Sequence, residues 1–165
     1  MVRRYDAGMA EVTIREAQVE DIPLILEHRR SMFRDMGRDD EEAHRRMRIS
    51  AEGFLREAMP RGRYRGWLAE TGDGRVVAGA GITIVDWPGS PDDPAPRRAW
   101  VQNVYTEPEY RRTGLARRLM EAVIEWCRED GFVSVSLHAS VFGRALYEQL
   151  GFRPTNEMRL WLRGK

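Results

Sequence analysis

The sequence has little of several features that mark particular classes of protein. Its only cysteine is Cys127, which excludes an intramolecular disulfide and a zinc site built from cysteines. Its 27 basic and 26 acidic residues leave a net charge of +1, whereas a non-specific nucleic-acid binder should carry a basic excess. No segment approaches the ~20 consecutive apolar residues of a membrane-spanning helix. The first residues lack the apolar run of a signal peptide. We therefore expect a cytoplasmic protein with no metal and no nucleic-acid or membrane partner.

The length and the hydrophobic content suit one folded domain. A chain of 165 residues lies within the ~100–200 residues of an ordinary domain. Its hydrophobic fraction of 42% argues against disorder. We predict a loose lead-in over residues 1–10 and a single domain over residues 11–165.

Hydrophobic periodicity and turn residues predict alternating strands and helices. The predicted strands are Glu11–Ala17, Tyr64–Glu70, Arg75–Trp87, Arg98–Thr106 and Phe132–Ala139, with one or two closing strands within Phe152–Trp161. The predicted helices are Glu20–Gly37, Asp39–Met59, Gly114–Asp130 and Val141–Leu150. Thr71–Gly74 is a hairpin signal, and Pro88–Pro96 reads as an exposed loop. The order predicts an α/β (α+β) fold, with a mixed, mostly antiparallel central sheet and helices on both faces.

The segment Arg111–Ala116 lies between a predicted strand and an amphipathic helix. A tight turn there leaves the first N–H groups of the helix unpaired, and these groups with the helix dipole suit a phosphate. Gly114 leaves room for phosphate oxygens, as the small Ala116 also does, while Arg111 and Arg112 add positive charge. The six residues alone are equally compatible with a plain helix start that carries surface arginines.

Two longer patterns in the second half of the chain are more specific. Pro108-Glu109-Tyr110-Arg111-Arg112-x-Gly114-x-Ala116 precedes an Arg-Arg-Leu-Met helix, and Leu137–Phe152 ends in Leu-Tyr-Glu-Gln-Leu-Gly-Phe. They resemble motifs A and B of the GNAT superfamily of acyl-CoA-dependent N-acyltransferases. Members of that superfamily often carry Asn where Ser140 stands and Ala where Gly143 stands. The resemblance covers about residues 11–162 and implies a GNAT-like domain that uses acetyl-CoA as cosubstrate and no metal.

The resemblance also implies a set of cofactor contacts along the fourth strand, the turn and motif B. These residues are Val104, Tyr105, Thr106, Arg111, Arg112, Thr113, Gly114, Leu115, Ala116, Ser140 and Arg144. A backbone N–H at a bulged point near Val104 or Tyr105 would donate to the thioester oxygen. Ser140 is also compatible with a helix N-cap, and Arg144 with a solvated surface arginine.

Tyr147 matches the position of the superfamily's frequent general acid. Its reference pKa of ~10 exceeds the ~8.5 of a thiol, so a hydrogen bond to the developing thiolate is easier than early proton transfer. The fourth strand contains no acid, and Asn103 can position a water or an amine but cannot act as a base. His138, Asp86 and Glu107 are the titratable candidates for the base. A water relay without a dedicated base is the default expectation.

The sequence does not name the acceptor. We expect a primary amine of a small molecule that reacts directly in a ternary complex, and a homodimer is possible. The alternatives are a protein or peptide amine and a non-catalytic acyl-CoA-binding module. Helical spacing predicts that Phe33 and Met36 belong to the core, while Arg29 or Arg30 could bind a carboxylate of the acceptor. Three tryptophans could line an apolar slot or simply fill the core: Trp67, Trp87 and Trp100.

Overall fold

The computed structural model describes residues 11–162. Within this range one sheet has the strand order β1-β2-β3-β4-β5, with β1 at Val12–Glu16, β2 at Tyr64–Thr71, β3 at Val76–Asp86, β4 at Arg97–Thr106 and β5 at Val135–Ser136. The α-helices are α1 at Ile22–Asp35, α2 at Glu41–Ala58, α3 at Leu115–Glu129 and α4 at Arg144–Gln149. The predicted lead-in over residues 1–10 lies outside the described residues. None of the helices between residues 11 and 162 combines the length and the hydrophobicity needed to cross a bilayer.

The sheet is mixed, as the sequence predicts. Each pair of neighbouring strands from β1 to β4 is antiparallel, whereas β4 and β5 run parallel. The predicted hairpin joins β2 to β3, and its tight turn is closed by the Thr71 N–H, which donates to the Arg75 carbonyl at 2.9 Å. Gly74 has a φ of +84° in this turn, a conformation that favours glycine. The α/β fold with a mostly antiparallel central sheet is therefore confirmed.

Helices cover both faces of the sheet. Successive side chains of β2 point to opposite faces, so they belong alternately to two hydrophobic clusters. Trp67 and Ala69 belong to the cluster that α3 completes with its apolar stripe. Tyr64 and Leu68 belong to the cluster formed with α1 and α2. The apolar stripe of α3 includes Leu115, Leu119, Met120, Val123 and Cys127, all buried.

The predictions for the last third of the chain were only partly right. The strand predicted at Phe132–Ala139 is reduced to Val135–Ser136, because its pairing with β4 ends after two residues. The helix predicted at Val141–Leu150 begins only at Arg144, after a turn. The closing strands predicted within Phe152–Trp161 are wrong, since these residues have no strand partner within residues 11–162. Apolar side chains of this segment are exposed instead, among them Met158 at 94%.

Candidate active site

The strand β4 is irregular near its carboxyl-terminal end. Its pairing with β3 shifts register between Gly79 and Gly81, so that two residues of β4 face a single residue of β3. Asn103 lies in this β-bulge and has a φ of 56°, in the left-handed region that few non-glycine residues adopt. The bulge confirms the irregularity predicted near Val104 or Tyr105. Bulges of this kind change the direction in which backbone groups point.

A cleft opens where β4 and β5 separate. The two strands pair only at Ala99 with Val135 and at Trp100 with Ser136. Beyond these pairs lies a cavity of about 470 Å³ between the end of β4 and the segment that leads into α4. The predicted site residues that line it are Val104, Tyr105, Thr106, Arg111, Arg112, Ala116, Ser140 and Tyr147. The structure thus brings together most of the site residues predicted from two distant segments of sequence.

The turn before α3 presents a row of unpaired amides. Gly114 is the N-cap of α3 with a φ of +85°, and Arg112 also lies in the left-handed region, with a φ of 65°. Within the part of the chain that the structure describes, no backbone N–H of residues 112–117 has a hydrogen-bond partner. A Cβ on Gly114 would meet no atom within 4 Å, so the space beside the turn is open. Such a turn is suited to an anion.

The two arginines of the turn behave differently. The Arg111 guanidinium pairs with the Asp35 carboxylate at the end of α1, and its Nε donates to the Thr106 carbonyl at 3.0 Å. This ion pair connects the turn with α1 at the cleft. Arg112 is exposed and has no ion-pair partner among the described residues. Thr113, Gly114 and Leu115 are not among the residues that line the cleft, and Leu115 is buried in the core instead.

Motif B forms the opposite wall of the cleft. The Gly143 N–H donates to Ser140 Oγ at 3.2 Å, so Ser140 organises the turn before α4 while it also lines the cleft. Tyr147 packs edge-on against Phe152 with 5.9 Å between ring centroids, and burial raises the pKa of its phenol. A Cβ on Gly143 would lie 2.7 Å from Tyr147 Cε2, so the glycine leaves room for this ring. Arg144 is exposed, does not line the cleft and lies 3.6 Å from Glu148.

A buried polar cluster lies behind the bulge. Asn103 Nδ2 donates to Tyr64 Oη at 2.9 Å, and Arg29 Nη1 donates to Asn103 Oδ1 at 2.6 Å. Burial raises the pKa of Tyr64 to about 12, so its phenol stays neutral. Asn103, Tyr64 and His28 line a small cavity of about 10 Å³, roughly the space that one water requires. The side-chain amide of Asn103 is therefore held by hydrogen bonds at both its oxygen and its nitrogen, directly before Val104 in β4.

The sequence and this architecture match one family of known proteins. The model of the Acetyltransferase (GNAT) family matches residues 24–152. The chain belongs to this family. The match spans most of α1, all of α2, the bulged strand, the turn before α3 and motif B, so it includes every wall of the cleft described above.

Solved structures and curated proteins include relatives of this GNAT chain. A GCN5-related N-acetyltransferase from Ralstonia eutropha JMP134 is 32% identical, with a TM-score of 0.86 over 93% of this chain and 99% of that one. A predicted acetyltransferase from Clostridium acetobutylicum, solved with acetyl-CoA, is 25% identical, with a TM-score of 0.82 over 93% and 96% of the two chains. Human N-acetyltransferase 8 is 30% identical over 96 residues, which are 55% of this chain and 39% of that protein. The chain therefore spans well under half of that curated relative.

The candidates for a general base do not line the cleft of this GNAT domain. His138 is half exposed, with Nε2 at 2.7 Å from Glu157 Oε1 and its ring beside Trp100. Glu107 pairs with Arg75, and Asp86 is exposed at the end of β3. Asp35 lines the cleft, but it is paired with Arg111. The geometry therefore favours none of the three candidates named from the sequence.

Sequence reasoning missed the part of the cleft that α1 contributes. Met32, Asp35 and Met36 line it, although helical spacing predicts a core position for Met36. Met36 is 38% exposed and Phe33 is only partly buried, so the core prediction for both is wrong. The tryptophans named for the acceptor pocket do not line this cleft: Trp67 is buried in the core, Trp87 is exposed and Trp100 packs beside His138.

His28 gives a prediction about stability. Its imidazole is 4% exposed, neither ring nitrogen has a partner among the described residues, and burial lowers its pKa to about 4. In the unfolded chain this imidazole takes up a proton near pH ~6.5, whereas in the folded protein it stays neutral until about pH 4. The free energy of unfolding should therefore fall by about 2 kcal/mol between neutral pH and roughly pH 5. Urea unfolding at the two pH values should show this loss reduced in His28→Phe. The variant His138→Gln changes an exposed histidine and should keep the full loss; an unchanged pH dependence in His28→Phe contradicts the assignment.

Proposed function

We propose that this chain transfers an acetyl group from acetyl-CoA to the primary amine of a small molecule, with both substrates bound in the cleft at once. The observation that carries the proposal is the row of unpaired amides over residues 112–117, directly beside a cleft of about 470 Å³. Unpaired amides at a helix start bind phosphate, and CoA carries a pyrophosphate. The membership of the GNAT family supports the same activity.

The residues present fit acetyl-CoA. The amides of residues 112–117 would hold the pyrophosphate, and the positive φ and the open space at Gly114 allow close approach of its oxygens. Arg112 is free to add a charge-assisted hydrogen bond. Thr106, Ala116 and Ser140 form the walls between the turn and the bulge. When bound, acetyl-CoA supplies an acetyl group that is activated as a thioester.

The residues at the centre of the cleft have separate tasks. The bulge in β4 frees backbone near Val104 and Tyr105 to donate a hydrogen bond to the oxygen that gains negative charge during transfer. Tyr147 Oη would donate a hydrogen bond to the departing sulfur from the opposite wall. Because burial raises the pKa of this phenol, it remains protonated at neutral pH and holds its proton until charge grows on sulfur.

The amine must lose a proton without a dedicated base in the cleft. Asn103 is held by Arg29 and Tyr64 next to the bulge, which fits it to orient a water or the amine itself. His28 has two unpartnered ring nitrogens beside the small cavity behind the bulge. A pKa of about 4 makes His28 a weak base that can hold a water rather than retain a proton. We therefore propose that the proton leaves through water.

A steady-state assay of CoA thiol release against a panel of small primary amines tests this function. We expect release that requires both acetyl-CoA and an amine, with initial-rate patterns that intersect because both substrates must be bound together. The acetylated amine should accumulate in step with the free thiol. Binding of acetyl-CoA without amine-dependent release would contradict catalysis and would leave a binding module. Release with peptides alone would move the acceptor class from small amines to peptide amines.

A further inference from the structure

Arg29 is a partly buried cation without an acidic partner. Among residues 11–162 no Asp or Glu oxygen lies within 4.0 Å of a guanidinium nitrogen of Arg29, and its Nε is fully buried without a hydrogen-bond partner. Its one hydrogen bond runs from Nη1 to the neutral amide oxygen of Asn103, at 2.6 Å. The guanidinium also lies over the Phe33 ring, 5.0 Å from its centroid. Most of the five N–H donors of this guanidinium are therefore unused.

The neighbouring arginine on the same helix is fully engaged. Arg30 Nη2 lies 3.0 Å from a carboxylate oxygen of Glu41, and Arg30 Nη1 lies 3.9 Å from Glu27. The sequence alone left Arg29 and Arg30 as equal candidates for an anion. The structure separates them, because the charge of Arg30 is balanced within the protein and that of Arg29 is not.

An unbalanced buried cation is costly, so its retention calls for a compensating group. The free-energy cost of removing a guanidinium from water is offset only by a well-placed anion together with further hydrogen bonds. Burial also lowers the pKa of Arg29, in keeping with a guanidinium that has left water without gaining a carboxylate partner. Asn103 accepts a hydrogen bond from Arg29 but cannot supply the missing negative charge, because its amide is neutral.

Arg29 joins two elements that each contribute residues to the cleft, α1 and β4. Its position on α1 is one helical turn before Met32, which lines the cleft. Its partner Asn103 directly precedes Val104, another lining residue. From Val104 the lining residues of β4 continue to Thr106 and then to the turn before α3, so the guanidinium is bonded to the end of this stretch that is farther from the turn along the chain.

We propose that Arg29 binds an oxyanion on the acceptor amine, a carboxylate or a phosphate. The proposal rests on the proposed acetyl transfer and deepens it, because it restricts the acceptor to amines that also carry a negative charge. A planar guanidinium fork matches both anions and forms charge-assisted hydrogen bonds with them. The anion would engage the donors that Asn103 leaves free, while Asn103 continues to orient Arg29.

Matched acceptor pairs test the proposal in the full chain. Each amino acid is compared with its amide, and each amino-sugar phosphate with its parent amino sugar, by kcat/KM and by calorimetric binding in the presence of CoA. We expect the anionic member of at least one set of pairs to be preferred by about 10- to 100-fold. The set that shows the preference identifies the anion as carboxylate or phosphate.

Substitutions show whether Arg29 causes the preference. In Arg29→Gln the preference should disappear because only the anionic acceptors lose rate and affinity, and Arg29→Lys should restore part of it. Arg30→Gln removes the adjacent, ion-paired arginine and should retain the preference. A purely structural role of Arg29 would lower the rates of both members of a pair equally, and that result overturns the proposal.

Thiol release and calorimetry together distinguish a failure of the role of Arg29 from a failure of the proposed acetyl transfer. Amine-dependent thiol release with no preference for anionic acceptors would overturn the role of Arg29 and leave the proposed function intact. Absence of thiol release with every amine would contradict the proposed function. Equal affinity for the two members of every pair, both the acid and amide pairs and the phosphate and parent-sugar pairs, would overturn the role of Arg29 whether or not transfer occurs.

Discussion

Tyr147→Phe is expected to lower kcat about 100-fold while the affinity for acetyl-CoA stays unchanged. The substitution removes the phenolic hydroxyl of motif B and keeps the ring that packs edge-on against Phe152 at 5.9 Å. The lost hydrogen bond strengthens only as charge grows on sulfur, so the loss falls on the transition state rather than on binding. Initial-rate assays give kcat, and calorimetry gives the dissociation constant of acetyl-CoA, so the two quantities are measured separately.

The control for this prediction is Tyr110→Phe. Tyr110 does not line the cleft, and its hydroxyl can be removed without a change at the reacting atoms. Its kcat should match that of the parent. Equal kcat values for the parent and Tyr147→Phe would contradict the role assigned to the phenol, and a parallel loss of acetyl-CoA affinity would assign Tyr147 to binding instead.

Gly114→Trp is expected to abolish the binding of acetyl-CoA. Acetyl-CoA at ~100 times its dissociation constant adds about 2.7 kcal/mol to the stability of the parent, a rise in Tm of roughly 5–11 °C. An indole at Gly114 occupies the open space beside the unpaired amides of residues 112–117, where we place the pyrophosphate. Thermal unfolding with and without acetyl-CoA should therefore show the shift in the parent and none in the variant.

The chain offers a matched control at the other end of the same helix. Gly131 has a φ of +79°, close to the +85° of Gly114, and a Cβ at either position meets no atom within 4 Å. A non-glycine residue at such a φ costs about 1–2 kcal/mol, so both tryptophan variants should be destabilised to a similar extent. Gly131→Trp should nevertheless retain the full shift with acetyl-CoA. Loss of the shift in both variants would mean that strain, and not the position in the turn, explains the result.

The turn before α3 was predictable from the sequence because it is a local structure. Its conformation depends on a glycine at φ +85° and on the start of an amphipathic helix, and both are visible in adjacent residues. The bulge near Val104 was also placed correctly, although through the family resemblance rather than from the residues of β4. The two motifs together account for most of the cleft lining.

The contribution of α1 could not be predicted in the same way. Periodicity identifies the apolar face of a helix, but it does not tell whether that face meets a core or an open cleft. Met36 illustrates this limit, since it has core spacing and yet lines the cleft at 38% exposure. The pairing of Asp35 with Arg111 joins residues that are far apart in sequence, and no local pattern marks it.

The error in the closing strands has a related cause. Alternating apolar residues near Met158 and Leu160 show that the segment can form a strand, but a strand also needs an edge to pair with. The short β5 pairs with β4 over two residues and leaves the segment without a strand partner within residues 11–162. The homodimer that the sequence allows stays untested.

The central claim is that the unpaired amides before α3 hold the pyrophosphate of acetyl-CoA. The most direct test is an amide-resolved NMR titration of the 165-residue protein with acetyl-CoA. We expect the largest downfield shifts of amide protons within residues 112–117, because these groups have no acceptor among the described residues and gain a charged one. The amides around Gly131 should not move. Saturating acetyl-CoA that leaves residues 112–117 unshifted would contradict the account.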